Sequence, residues 1–378
     1  MIIGVPRETL DGEKRVGFVP ESIAKIKGVQ IHVQTGAGEN AGVTDAEFEK
    51  AGAVVEKDAE TLYELSDLVV KVQPLGTAEA GMLKKGSSVI SFLYPLNHLD
   101  AVKVLKERGA TAFAMELMPR ISRAQSMDAL SSQSLVAGYK AVLIAADSLP
   151  KLFPMLMTAA GTIAPARVFV LGAGVAGLEA IAMARRLGAV VEAYDVRPAV
   201  KEQIESLGAK FVELPLEAKD AQTSGGYAKA QTEDFYRKQQ ELLASHAEQS
   251  DVVVTTALVP GSRAPLLVTE DAVKRMKPGS VLVDLAAEQG GNCALTEPGK
   301  TVVKYGVKIH GPLNLPSSMA PQASQLYSRN VTAFLLPMLK GGELSPDPND
   351  DLVKGTMVVQ AGKVVHEATR KALEGTSP

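Results

Sequence analysis

The chain has 378 residues, 46% of them apolar and 22% charged, a globular balance long enough for two packed cores, which excludes a disordered or collagen-like chain. A formal net charge of −3 without clustered Lys and Arg excludes an electrostatic footprint for nucleic acid. The single cysteine, Cys293, excludes an internal disulfide and fits a reducing compartment.

The start, Met1-Ile2-Ile3-Gly4-Val5-Pro6-Arg7-Glu8, carries charge and proline where an export signal needs an apolar run. Strands are expected at 2–5, 31–34, 68–72, 88–93 and 110–115, separated by helix-like segments; Val and Ile on both faces imply a parallel sheet covered on each side. The stretch 120–128 is polar, weakly periodic and read as a loop. Leu135, Tyr139, Val142, Leu143 and Ala146 then recur at helical spacing, with Ser131 or Ser134 as the expected N-cap. The most apolar window, 152–166, is broken by Pro154, Gly161 and Pro165 and is shorter than the roughly 20 residues that span a bilayer, so no membrane segment is expected. A second sheet begins with a strand at 168–171 and a helix at 178–187, with further strands at 190–194, 210–212, 252–256, 281–285 and 307–309. Residues 215–231 read as a mobile surface loop, 320–339 as a long helix returning to the first domain, and 341–351 as a loop before a short terminal segment. The expected fold is α/β, two Rossmann-like doubly wound parallel-sheet domains joined by long helices: a discontinuous first domain of 1–130 plus 320–378, and a second of 131–319.

Between the second domain's first strand and first helix lies Gly172-Ala173-Gly174-Val175-Ala176-Gly177. A lone G-x-G-x-x-G is weak, but in this context Gly172 makes the turn, Gly174 lets backbone approach a pyrophosphate, Gly177 permits close packing, and the helix N-terminus attracts the anion. Asp195 closes the next strand about 20 residues on, where a carboxylate takes the adenosine ribose hydroxyls and favours NAD over NADP. Arg197 leaves a 2′-phosphate in play. The five histidines are scattered and read as structural, no general acid or base for a metabolite stands out, and Ser131-Ser132 and Ser134 lack a hydrolase elbow. On residues alone, 120–128 is equally an exposed linker or a segment acting on the cofactor.

Arg120-Ile121-Ser122-Arg123-Ala124-Gln125-Ser126-Met127-Asp128 with Ser131-Ser132-Gln133-Ser134 resembles the signature loop of the NAD(H)-binding components of proton-translocating nicotinamide nucleotide transhydrogenases, in the alanine dehydrogenase/transhydrogenase superfamily. The likeness runs end to end, through Gly4–Glu8, Gly12–Val16, Gly172–Gly177, Tyr194–Arg197, Gly225–Ala228 and Asp284–Asn292. It implies that Arg120, Gln125, Asp128 and Ser131 act at the nicotinamide end, with Arg120 pairing with Asp128 to fix the loop. It further implies that Gly172, Ala173, Gly174, Val175, Gly177, Asp195, Val196, Arg197, Ala257, Leu258, Leu285 and Gln289 hold the NAD(H), and that Tyr227 closes over it. The implied reaction is direct hydride transfer to NADP(H) on a partner subunit, coupled to proton translocation, which needs no catalytic His or Lys. A homodimer, a cytoplasmic place on the inner (plasma) membrane through membrane-embedded subunits, and no nucleic-acid partner complete the expectation. The membrane part is either a separate polypeptide or absent from this sequence. Two alternatives are an alanine dehydrogenase-like enzyme and a silent NAD sensor. Against the first, that enzyme's substrate-site Lys falls at Gln73, its His near Pro95 and its Asp at Glu288, while Arg15 is retained.

Overall fold

Short β-branched runs separated by Gly-rich turns have become the strands of two parallel sheets in the computed structural model, which describes residues 1–214, 232–258 and 263–375. The chain divides into two units, Met1–Gln133 with Pro316–Pro378, and Ser134–Leu315. In the first, β1 (Ile2–Val5), β2 (Gln30–Gln34), β3 (Val54–Glu56), β4 (Leu68–Val70), β5 (Ser88–Ser91) and β6 (Thr111–Ala114) lie parallel in the order β3-β2-β1-β4-β5-β6. Leu68 and Val70 feed one apolar cluster and Val69 the opposite one, as period-2 side chains require of a sheet covered on both faces.

The second unit opens with an antiparallel hairpin, β7 (Leu156–Thr158) and β8 (Gly161–Ile163). Its main sheet joins β9 (Arg167–Leu171), β10 (Val190–Tyr194), β11 (Lys210–Phe211), β12 (Val252–Thr255), β13 (Val281–Asp284), β14 (Thr301–Lys304) and β15 (Val307–His310) in the order β11-β10-β9-β12-β13-β15-β14, antiparallel only at β14. Val168 and Val170 pack on one face, Phe169 and Leu171 on the other. The chain winds outward from β9 in both directions, so the carboxyl ends of β9 and β12 flank the point at which such sheets bind ligands.

Several expectations need correction. The segment 120–128 contains a 3₁₀ helix, Ser122–Met127, instead of open loop. Neither Ser131 nor Ser134 caps the following helix, which begins at Ala129 and includes both serines: Asp128 precedes it and accepts from the backbone N–H and hydroxyl of Ser131, the helix's third residue, at 2.8 and 2.6 Å. The helix expected at 178–187 is Val175–Arg186, starting within the glycine turn. The long helix stops at Leu335, where Pro337 takes over in a 3₁₀ turn. The tail beyond 341 is more than loop and terminal segment. After a small hairpin, β16 (Leu339–Lys340) and β17 (Glu343–Leu344), and the helix Asp351–Thr356, β18 (Met357–Gln360) adds antiparallel to β6, and β19 (Lys363–Val364) adds to β18. The surface loop expected at 215–231, with Tyr227, lies outside the described residues.

One helix among the described residues, Ala129–Ser148, is long and apolar enough to cross a membrane, judged by length and composition. Of its apolar window 39% is buried: Gln133 Nε2 donates to the Ala323 carbonyl, Ala141 and Ala145 are buried, and a Cβ on Gly138 would fall 2.1 Å from the Ala176 carbonyl oxygen.

Candidate functional site

The glycine turn sits at the carboxyl end of β9. Gly172 has φ +98, and a Cβ there would meet Thr256 Oγ1 at 2.7 Å, so glycine is required by both conformation and space. Gly177 is more constrained, since a Cβ would lie 1.8 Å from the Gly172 carbonyl oxygen. Gly174 differs: among the described residues a Cβ there meets nothing within 4 Å, and as N-cap of Val175–Arg186 it has no side chain to offer the helix. The helix therefore begins at exposed residues with no side-chain cap among the described residues, and the partial positive charge of its first N–H groups suits a diphosphate. Val175 is 40% exposed at this end, whereas Ala173 is buried.

Asp195 lies just beyond β10. Its Oδ2 accepts from Ala173 N at 2.8 Å, which ties the turn to the second strand. Arg197 folds back on the same carboxylate, donating from Nη2 to Oδ2 at 2.8 Å and from its backbone N and Nε to Oδ1 at 2.9 Å. Arg197 thus engages both oxygens of the Asp195 carboxylate. Val196, between them, is half-buried.

Thr256 joins the two halves of the sheet: its hydroxyl donates to the Gly172 carbonyl at 3.0 Å, at the switch point between β9 and β12. Ala257 follows, half-buried, then Leu258, 40% exposed. Leu285 and Gln289 follow β13, the former half-buried and the latter exposed, and the Gln289 carbonyl accepts from Ala264 N at 2.9 Å. Sequence reasoning missed Thr256, because a side-chain bond to a carbonyl 84 residues away has no local signature.

Arg120, Gln125, Asp128 and Ser131 belong to the other unit. Arg120 and Gln125 are exposed, while both Asp128 oxygens hold Ser131. The 3₁₀ segment is fastened from two sides: Asn330 Nδ2 donates to the Ser126 carbonyl at 2.9 Å, and Arg123 grips Asp350 through two bonds of 2.8 and 2.7 Å. That grip holds the Asp350 carboxyl at about 2.

The same unit holds a buried polar cluster. Arg15 is 3% exposed and forms a bidentate pair with Glu13, from Nε at 2.8 Å and Nη2 at 2.6 Å, and donates to Gln133 Oε1 at 2.8 Å. Gln73 Nε2 donates to Glu13 at 2.7 Å. Despite burial, these donors hold the Glu13 carboxyl down at about 2. Glu288, in the second unit, accepts from Asn314 N.

Residues 4–137 match the alanine dehydrogenase/PNT N-terminal domain, and 141–367 match its C-terminal domain. An NAD(P) transhydrogenase subunit alpha polypeptide of Rhodospirillum rubrum is 50% identical over 378 residues, covering 97% of this chain and 98% of that one. The alanine dehydrogenase of Halomonas elongata is 31% identical, covering 98% and 96%. Among solved structures, the transhydrogenase from Sinorhizobium meliloti superposes with a TM-score of 0.87 at 44% identity, covering 97% of this chain and all of that one.

Proposed function

The chain belongs to the alanine dehydrogenase/PNT family, and from that premise we propose that it is the NAD(H)-binding component of a proton-translocating transhydrogenase. The observation that carries this reading is the turn at Gly172–Gly177, open at Gly174 and tied through Ala173 to Asp195. Bound NADH supplies a hydride to NADP+ held by a partner subunit. The residues of this chain bind and orient. The first N–H groups of Val175–Arg186 neutralise the diphosphate, Asp195 takes the adenosine ribose, and Ala257, Leu258, Leu285 and Gln289 flank the other half of the dinucleotide. Arg120, Gln125, Asp128 and Ser131 are assigned to the nicotinamide end on the strength of their loop sequence. A transfer from one nicotinamide to another moves no substrate proton, which agrees with a chain whose Arg15, Gln73 and Glu13 are committed to one another.

The proposed partners are a second copy of the chain, an NADP(H)-binding domain and membrane-embedded subunits that keep this one at the cytoplasmic face of the inner membrane. Support for the second copy comes from the β7–β8 arm. Residues 155–164 are all exposed and include no charge, and Met157 is 80% exposed. An isolated two-stranded ribbon is marginal in water, and an apolar one marks a surface that another protein covers.

Titration of the purified chain with NADH and NADPH tests the cofactor assignment. Asp195 places a like charge beside a 2′-phosphate, offset in part by the Arg197 guanidinium paired with it, so NADH should bind tighter, by about tenfold or roughly 1.4 kcal/mol where the carboxylate dominates. Equal or tighter NADPH binding would contradict it.

A further inference from the structure

Asp284, the last residue of β13, has no exposed surface and is not among the residues that touch a dinucleotide in the reading above. A buried carboxylate is costly unless several donors serve it, and here five do. Thr255 Oγ1 and Ala286 N donate to Oδ1 at 2.8 and 3.0 Å, and Asn292 N, Cys293 N and Thr296 Oγ1 donate to Oδ2 at 2.8, 3.1 and 2.7 Å. All five are neutral hydroxyls or backbone N–H groups. They come from the end of β12 and from the chain that follows β13, so one side chain fixes both strand ends together.

Asn292, also without exposed surface, extends the hold. Its Oδ1 accepts from Ala257 N at 3.0 Å, and its Nδ2 donates to the carbonyls of Ala257 and Pro265 at 2.9 and 2.8 Å. Both backbone groups of Ala257 are thereby clasped by one amide, and the chain is pinned again at Pro265. The Asn292 carbonyl accepts from Leu267 N and Val268 N, each at 2.9 Å. Space is as tight as the bonding: Gly291 has φ +79, and a Cβ there would lie 2.8 Å from Asp284 Oδ2.

In a sheet wound outward from β9, the glycine turn and Asp195 serve the adenosine half of a dinucleotide. The other half crosses the switch point over the carboxyl ends of β12 and β13, where Ala257 and Leu285 emerge. We propose that Asp284 and Asn292 are positioning residues for the nicotinamide half, presetting the backbone of 256–258 and 285–289 without touching the cofactor. The proposal rests on the NAD(H)-binding reading. Such groups act by preorganisation, so their loss should reach the nicotinamide end and spare the adenosine end.

Binding of ADP and of NADH to the purified chain separates the two ends, with the melting temperature recorded alongside. For Asn292→Ala, ADP affinity should stay within about twofold of the parent while NADH affinity falls about tenfold. Thr255→Val, isosteric but lacking the donor to Asp284, should show the same split at smaller amplitude, and Thr255→Ser should restore it. Should Asn292→Ala fail to fold, Thr255→Val decides on the same ratio. Parallel losses of ADP and NADH binding would mean general loosening and overturn the proposal, as would unchanged NADH binding in a folded variant. A parent that binds neither nucleotide would instead overturn the NAD(H) reading, and the proposal with it.

Discussion

Gly174 and Gly177 are three residues apart and look interchangeable in the motif, yet their surroundings demand opposite outcomes. A methyl at Gly177 collides with the Gly172 carbonyl and cannot be relieved by rotating a side chain, so Gly177→Ala should cost about 1–3 kcal/mol of stability and lower the melting temperature. A methyl at Gly174 meets nothing among the described residues, and φ −76 suits any residue, so Gly174→Ala should melt like the parent but weaken NADH binding where the diphosphate approaches the backbone. Thermal melts with NADH titrations check both, and a Gly174 variant with parental affinity would refute the assignment. Glu116 supplies a pH signature. Burial pushes its carboxyl up to about 7 although Leu93 N and Tyr94 N donate to it. A carboxyl raised in the folded state favours folding in full below its ordinary value of 4.5, and that contribution is lost as the pH rises to about 7. The loss is about 3 kcal/mol, so Glu116→Gln should flatten stability against pH between 4.5 and 7 in denaturant titrations. An unchanged slope would place the titration elsewhere.

At the scale of elements, what the sequence made legible was what local pattern dictates. The Val- and Ile-rich runs gave the central strands, and glycines between a strand and a helix marked the turn. The failures share a cause in contacts distant along the chain. Met357–Gln360 forms a strand because β6 offers an open edge more than 240 residues earlier, and the cap at Asp128 was obscured by serines that suit the same role. The fastening of 122–127 comes from Asn330 and Asp350, which no reading of the loop itself reveals. The β7–β8 arm was read as an interrupted apolar window, because Pro154, Gly161 and Pro165 describe breaks equally well in a buried segment or a projecting ribbon. Met157→Asp puts a charge at the arm's most exposed apolar position; it should leave the monomer fold intact and shift the proposed dimer toward monomer in sedimentation velocity. A variant that sediments like the parent would remove the arm from the interface.

For the whole molecule, two doubly wound sheets leave function to be decided by sites grafted on a shared fold, and the family holds both transhydrogenase and alanine dehydrogenase relatives. Arg15 and Glu13 are locked together with Gln73 in the first unit, while the dinucleotide turn in the second is shaped by glycines that no larger residue could replace at 172 and 177. A sensor and a hydride-transfer subunit would bind NADH alike and differ only in what happens when an acceptor protein is present. The decisive measurement is therefore hydride exchange between NADH on this chain and NADP+ on a purified NADP(H)-binding transhydrogenase domain, both nucleotides saturating. NADPH should form only when both proteins are present and should cease to form when this chain is omitted; no exchange while both nucleotides are demonstrably bound would contradict a hydride-transfer role.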